Sequence, residues 1–308
     1  MTRIQANNNA AVTPRPEAQQ ANDPVAQNPQ RHTDGFEGMR KMGGGVTQGT
    51  AEPNVPGSGR VPSVPASVHA QMVELSDPST LKDMYDLRRR IRALDRLMVA
   101  HKDPRGMFTS LYRVITNGAV DSVEKGIYQD NEWGAKLTHE FGRRYLKNLH
   151  GDLTGGEVTG AWKSYYKQAK DPSVSLERVA GMGANVHLVA DLPRALAAID
   201  SPKERRADFM LFGDVLLDVY PEMVASAKDG HGADMDPLFD LFFVGDAIDH
   251  VAGQGTATRF VYQGIRRKAW DASQALQDFR APAAQAEVDI SWRGFERILA
   301  GLDGTNFI

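Results

Sequence analysis

The sequence contains no cysteine, which excludes a disulfide framework, a thiolate metal site and a cysteine nucleophile. It has no apolar run near the roughly 20 residues that a membrane-spanning helix needs, and no short apolar core of the kind that marks a secretory signal peptide. An excess of charge is missing too. Lys and Arg number 36 against 39 Asp and Glu, a formal charge of −3, so no overall field draws the chain to nucleic acid or to an anionic membrane. Basic residues are scattered rather than interleaved with aromatics, and nucleic-acid binding is not expected. Gly43-Gly44-Gly45 and Gly57-Ser58-Gly59 follow no strand-like run and precede no phosphate-binding lysine. No Gly-x-Ser-x-Gly elbow occurs, which argues against an α/β-hydrolase.

Leucine is absent from residues 1–66, and Phe36 is the only aromatic residue there, while 8 of the 16 prolines and 8 of the 29 glycines are present. Such a stretch buries too little apolar surface to offset the entropy of ordering it, and a disordered leader is expected. Pro53-Asn54-Val55-Pro56 and Pro62-Ser63-Val64-Pro65 favour extended polyproline conformations just before the folded part. Rich in Asn, Gln, Pro and Ala, the leader resembles the uncleaved N-termini of bacterial type III secreted effectors. The resemblance implies a soluble bacterial protein exported to a host cell; without export the expected location is cytoplasmic.

What is abundant beyond the leader is helical spacing. From Leu81 to His101 apolar residues recur at three- and four-residue steps, with Asp77-Pro78-Ser79 as the expected cap and Asp103-Pro104 as the stop. Arg88 to Arg92 is expected on the outward face. Further helical stretches are expected over 107–123, 133–149, 157–170, 176–190, 192–199, 207–219, 221–228, 238–252, 256–279 and 291–302. Strand-like alternation is nearly absent. The fold expected is all-α, a single bundle-like domain over residues 67–308.

One segment concentrates unusual choices: Gly181-Met182-Gly183-Ala184-Asn185-Val186-His187-Leu188-Val189-Ala190-Asp191-Leu192-Pro193. His187 and Asp191 are four residues apart, which on a helix puts an imidazole and a carboxylate on one face. Their neighbours are apolar, so the pair is expected to point inward. Buried ionisable groups persist when they are paired, bind a metal or do chemistry. Pro193 is expected to kink or end the helix, freeing carbonyls as acceptors. The pattern of Gly183, Asn185, His187, Asp191, Leu192 and Pro193 resembles the signature of an all-helical bacterial and fungal family of unknown function. Landmarks in the same order are Phe108 to Tyr112, Phe141 with Tyr145 and Leu146, Ala161-Trp162, Asp208-Phe209, and Arg266 with Trp270. The resemblance spans about residues 105–280 and implies a helical fold without a known reaction. It departs at Ala190, where it implies a second histidine beside the aspartate.

Asp246 and His250 repeat the carboxylate–imidazole spacing. Two helices projecting such pairs inward could hold a divalent metal, with zinc, iron or manganese the candidates for an oxygen and nitrogen donor set. The candidate ligands are His187, Asp191, Asp208, Asp246 and His250; the candidate catalytic residues are His187, Asp191 and Asn185. Asp208 also reads as a carboxylate favouring the start of its helix. His139-Glu140 reads as a solvated face, and Trp162, Tyr165 and Tyr166 as core. Two functions stay open. One is a metal-dependent hydrolase acting on a small-molecule substrate. The other is a non-catalytic effector that binds a host protein and in which His187–Asp191 is structural.

Overall fold

Helix α3 (Gly106–Glu124) organises the molecule because its sequence is apolar or small nearly all the way round. Thirteen of its 19 residues are buried, from Gly106 to Ser122, too many for one amphipathic stripe. The structure, a computed structural model, describes residues 64–238 and 256–305. Apart from residues 64–66, the leader lies outside them, as does the stretch with Asp246 and His250. Among the described residues there is no strand, and eleven α-helices carry the chain, as expected for an all-α protein. The others are α1 (Ala66–Ser76), α2 (Met84–Ala100), α4 (Asn131–Thr154), α5 (Gly160–Ala169), α6 (Leu176–Asn185), α7 (Leu192–Ala198), α8 (Arg206–Asp218), α9 (Tyr220–His231), α10 (Thr256–Leu276) and α11 (Ala281–Gly304). Helices α2, α4, α6, α8 and α9 all pack on α3, and α10 packs on α7, α8 and α11. Among the described residues no helix is long and apolar enough to cross a membrane.

Helix starts follow local side-chain chemistry. Asp83 opens α2 by accepting hydrogen bonds from the N–H groups of Tyr85 (2.9 Å) and Asp86 (2.8 Å). Asp130 does the same for α4 through Trp133, and Ser175 for α6 through Arg178. Each such cap is worth about 1 kcal/mol. The expected cap at Asp77-Pro78-Ser79 belongs to a 3-10 turn, Pro78–Thr80, that precedes α2. That turn is held by Arg90, whose guanidinium donates to the carbonyls of Asp77 (2.8 Å) and Thr80 (2.7 Å) and to Asp86 (2.9 Å). Arg90 is therefore buried, contrary to the outward face expected for Arg88–Arg92, because three nearby acceptors satisfy its donors. Arg88 reaches Asp121 and Glu124 on α3.

Two more arginines are interior. Arg105 joins Asp103 and, at 3.0 Å, Asp152, whose carboxylate also receives Lys170 at 2.7 Å. This network fastens the start of α3 to the ends of α4 and α5. Arg266 on α10 is fully buried, its guanidinium 4.0 Å from the centre of the Phe209 ring and donating to the carbonyls of Phe209 and Met210. It fits because residue 213 is glycine: a Cβ there would overlap the Arg266 guanidinium. Trp270, one turn on, lies 5.1 Å from Phe209.

Candidate functional site

The site is built where α6 runs into α7 without a break. Between them Val186–Asp191 form a π-turn, in which the N–H of Leu192 donates to the carbonyl of His187, five residues back. Pro193 supplies no N–H to the ladder, and the wider turn absorbs it within the first turn of α7. The expected kink or helix end is thus a local widening. The carbonyl of Ala190 is taken by Arg194 Nη1 at 2.6 Å. Such π-turns are frequent at functional sites.

His187 and Asp191 lie on this turn, 2% and 4% exposed, and point inward as expected. Their Nδ1 and Oδ2 atoms are 3.1 Å apart. The same Oδ2 accepts a hydrogen bond from the Trp162 indole N–H at 2.7 Å. Indole nitrogen can only donate, so Asp191 is held as an acceptor, and it is Nδ1 of the imidazole that carries the hydrogen between them. The ring stacks on Phe141, with centroids 3.6 Å apart and planes 10° from parallel. Tyr112 meets it edge-on at 4.5 Å and Phe108 at 5.3 Å. Burial pushes the imidazole below the usual histidine range; the bond to Asp191 pulls the other way without prevailing. A neutral ring with its hydrogen on Nδ1 leaves Nε2 as a lone pair.

Nε2 is buried and has no hydrogen-bond partner among the described residues. His187 lines a cavity of about 110 Å³, walled by Phe108, Leu111, Ile115, Phe141, Leu188 and Met223 among others. Asn185 lines it as well. Its Nδ2 donates to the Trp292 carbonyl (3.1 Å) and to Glu296 Oε1 (2.8 Å) on α11, and this fixes the amide orientation. Its Oδ1 is left buried without a partner among the described residues. Burial raises the Glu296 carboxyl above the usual range. Gly183 allows the approach of α3: a Cβ at that position would stand 2.6 Å from Phe108 Cβ.

The structure brings together Asn185, His187 and Asp191, and it brings to them the aromatic landmarks Phe108, Tyr112, Phe141 and Trp162. It uses Asp208 elsewhere. Both oxygens of that carboxylate accept from backbone N–H groups, Gln129 at 2.8 Å and Asp130 at 3.0 Å, and tie the α3–α4 connection to the first turn of α8. Asp246 and His250 lie outside the described residues. Among the described residues no three His, Asp or Glu side chains stand where they could hold a metal ion. His139 is half-buried rather than solvated, and Glu140 beside it is buried against Arg143 and Arg144. Sequence reasoning missed the bond from Trp162 to Asp191. The signal was available, since a buried tryptophan needs an acceptor for its N–H. For the α11 residues that hold Asn185 there was no local signal.

The fold and the site define a helical protein with an imidazole–carboxylate pair enclosed in aromatic rings beside an apolar cavity. A family profile matches residues 84–299, and the chain belongs to that family, DUF5995, a family of unknown function. The match reaches beyond the span expected from sequence and takes in Trp292 and Glu296. No curated protein and no solved structure matches the chain.

Proposed function

We propose that the protein is a hydrolase in which His187 acts as a general base. The observation that supports this reading is the buried Nε2 lone pair, without a partner among the described residues, on a ring held by Asp191 and lining a cavity. Asp191 fixes the tautomer and stabilises the imidazolium that forms when Nε2 takes a proton from water. Trp162 fixes Asp191. This is the orienting logic of catalytic imidazole–carboxylate pairs. The depressed basicity of the ring keeps it in the proton-accepting form at neutral pH. Phenyl acetate and ethyl acetate, followed by titration of released acid between pH 5 and 8, test it. Hydrolysis is expected to fall by about 100-fold or more in His187→Ala, within the range typical of general-base catalysis. Equal rates in the wild type and His187→Ala would overturn the base role.

Nε2 is also the atom through which His187 would bind a zinc, iron or manganese ion. Elemental analysis separates the two roles: stoichiometric metal in the wild type, lost in His187→Ala, would make the residue a ligand. The composition of residues 1–66 supports delivery to a host cell. A reporter carrying that segment should leave the producing cell through a type III apparatus, and retention would remove the effector reading. A folded His187→Ala variant that still binds a host protein would favour the non-catalytic alternative.

A further inference from the structure

We infer that the cavity beside His187 takes a small neutral alcohol of about phenol size, the leaving half of an ester substrate. The inference rests on the base role of Nε2 and adds the class of substrate. Size sets the first limit. About 110 Å³ is of the order of the roughly 150 Å³ apolar cavity known to hold benzene, so the bound group is one ring or a chain of no more than about seven heavy atoms. The wall sets the second limit. Phe108, Leu111, Ile115, Phe141, Leu188 and Met223 offer carbon, which favours an apolar body over a filling of several waters, each of which would need two to four polar partners.

Two buried acceptors without partners among the described residues set the head group. His187 Nε2 and Asn185 Oδ1 are acceptors, both buried and both without a partner among the described residues, and both residues line this cavity. Asn185 cannot turn its amide to donate, because Nδ2 is held by the Trp292 carbonyl and Glu296. The complement of two acceptors is a donor. An anion would face two lone pairs with the Asp191 carboxylate behind them, and an ammonium would lose its hydration to a carbon wall. A hydroxyl fits. In hydrolysis the water oxygen bonds to the acyl carbon as its proton passes to Nε2. The ester C–O bond then breaks, and Nε2 returns that proton to the departing oxygen, so the alcohol finishes as a donor to His187.

Calorimetry with phenol and toluene tests this, because the two have nearly the same size and only phenol donates. Phenol is expected to bind about tenfold more tightly, the worth of one net hydrogen bond to an acceptor otherwise left unpaired. It should also shift the His187 Nε2 resonance in nitrogen-15 spectra, which toluene should not. In the double variant His187→Phe, Asp191→Leu, which leaves no stranded carboxylate, the preference should fall to what Asn185 Oδ1 alone supplies; if that variant does not fold, the wild-type comparison decides alone. Equal affinity for phenol and toluene, or no binding of either, would overturn the inference. Ester hydrolysis that depends on His187, found together with equal affinities, would sink the ligand class and leave the base role standing. Phenol preference without such hydrolysis would uphold the ligand class and remove the base role.

Discussion

Two of the buried polar sets in this molecule are finished to different degrees. Around Arg105 each charge meets its opposite: Asp103 on one side, Asp152 on the other, and Lys170 completing Asp152. Around His187 the pairing stops halfway. Asp191 receives two donors, while Nε2 of the same imidazole and Oδ1 of nearby Asn185 receive none among the described residues. A buried acceptor without a partner costs on the order of 1–3 kcal/mol. A fold that satisfies one interior network and leaves another incomplete beside a cavity separates holding from acting. The first set fastens helices. The second supplies an atom with something left to do.

The comparison can be broken most forcefully at the finished set. Arg105→Leu strands the buried Asp103 carboxylate and leaves Asp152 to Lys170 alone, and chemical denaturation should show a loss of about 3–5 kcal/mol, with phenol binding in the surviving folded fraction unchanged. A loss below about 1 kcal/mol would mean that the network is not what fastens α3. Next comes Trp162→Phe, which keeps the ring and removes a hydrogen bond to a carboxylate. Denaturation should show a loss of about 1.5–3 kcal/mol, together with a changed pH profile of hydrolysis as Asp191 loses its anchor.

Acid offers a third probe. Burial depresses His187 in the folded state, so the unfolded chain binds more protons below its ordinary value of 6.5. The stability contributed by the neutral ring is therefore complete above that value, and it falls as pH drops toward the folded-state value. The slope is at most about 1.4 kcal/mol per pH unit for one group. His231, also depressed by burial, adds in the same direction. The double variant at 187 and 191 should show a shallower decline between pH 7 and 5 than the wild type. The smallest effect is expected away from both sets. Asp130→Ala removes the α4 cap and should cost about 1 kcal/mol, with no change in ligand preference.

Much of the fold could be read from local spacing, because helices are local. The stretch 107–123 became α3 over 106–124, and 207–219 became α8 over 206–218. The misreadings arose where a partner elsewhere in the chain or an uncommon turn intervened. Arg90 looks like one charge in a basic run until Thr80 and Asp77 supply carbonyls to it. Pro193 looks like a stop until a π-turn accommodates it. At the site, the spacing of His187 and Asp191 was visible, as were the aromatic landmarks in order along the chain. That they form one cage was not, since Phe108, Phe141 and His187 come from three helices. Nor could any periodicity announce that Asn185 would be gripped from α11, more than 100 residues away.

The π-turn has a consequence for how this chain can tolerate change. Each residue of an α-helix advances the direction of its side chains by about 100°, and the widened turn at Val186–Asp191 holds one residue more than an α-turn would, so the extra residue is taken up without rotating α7 against α6. Deleting a single position there would return the backbone to an ordinary spiral while α7 keeps nearly the same sides toward α4 and α10. Substitutions in this stretch change one contact at a time; a one-residue deletion would erase the spacing that pairs His187 with Asp191 while the helices on either side hold their register.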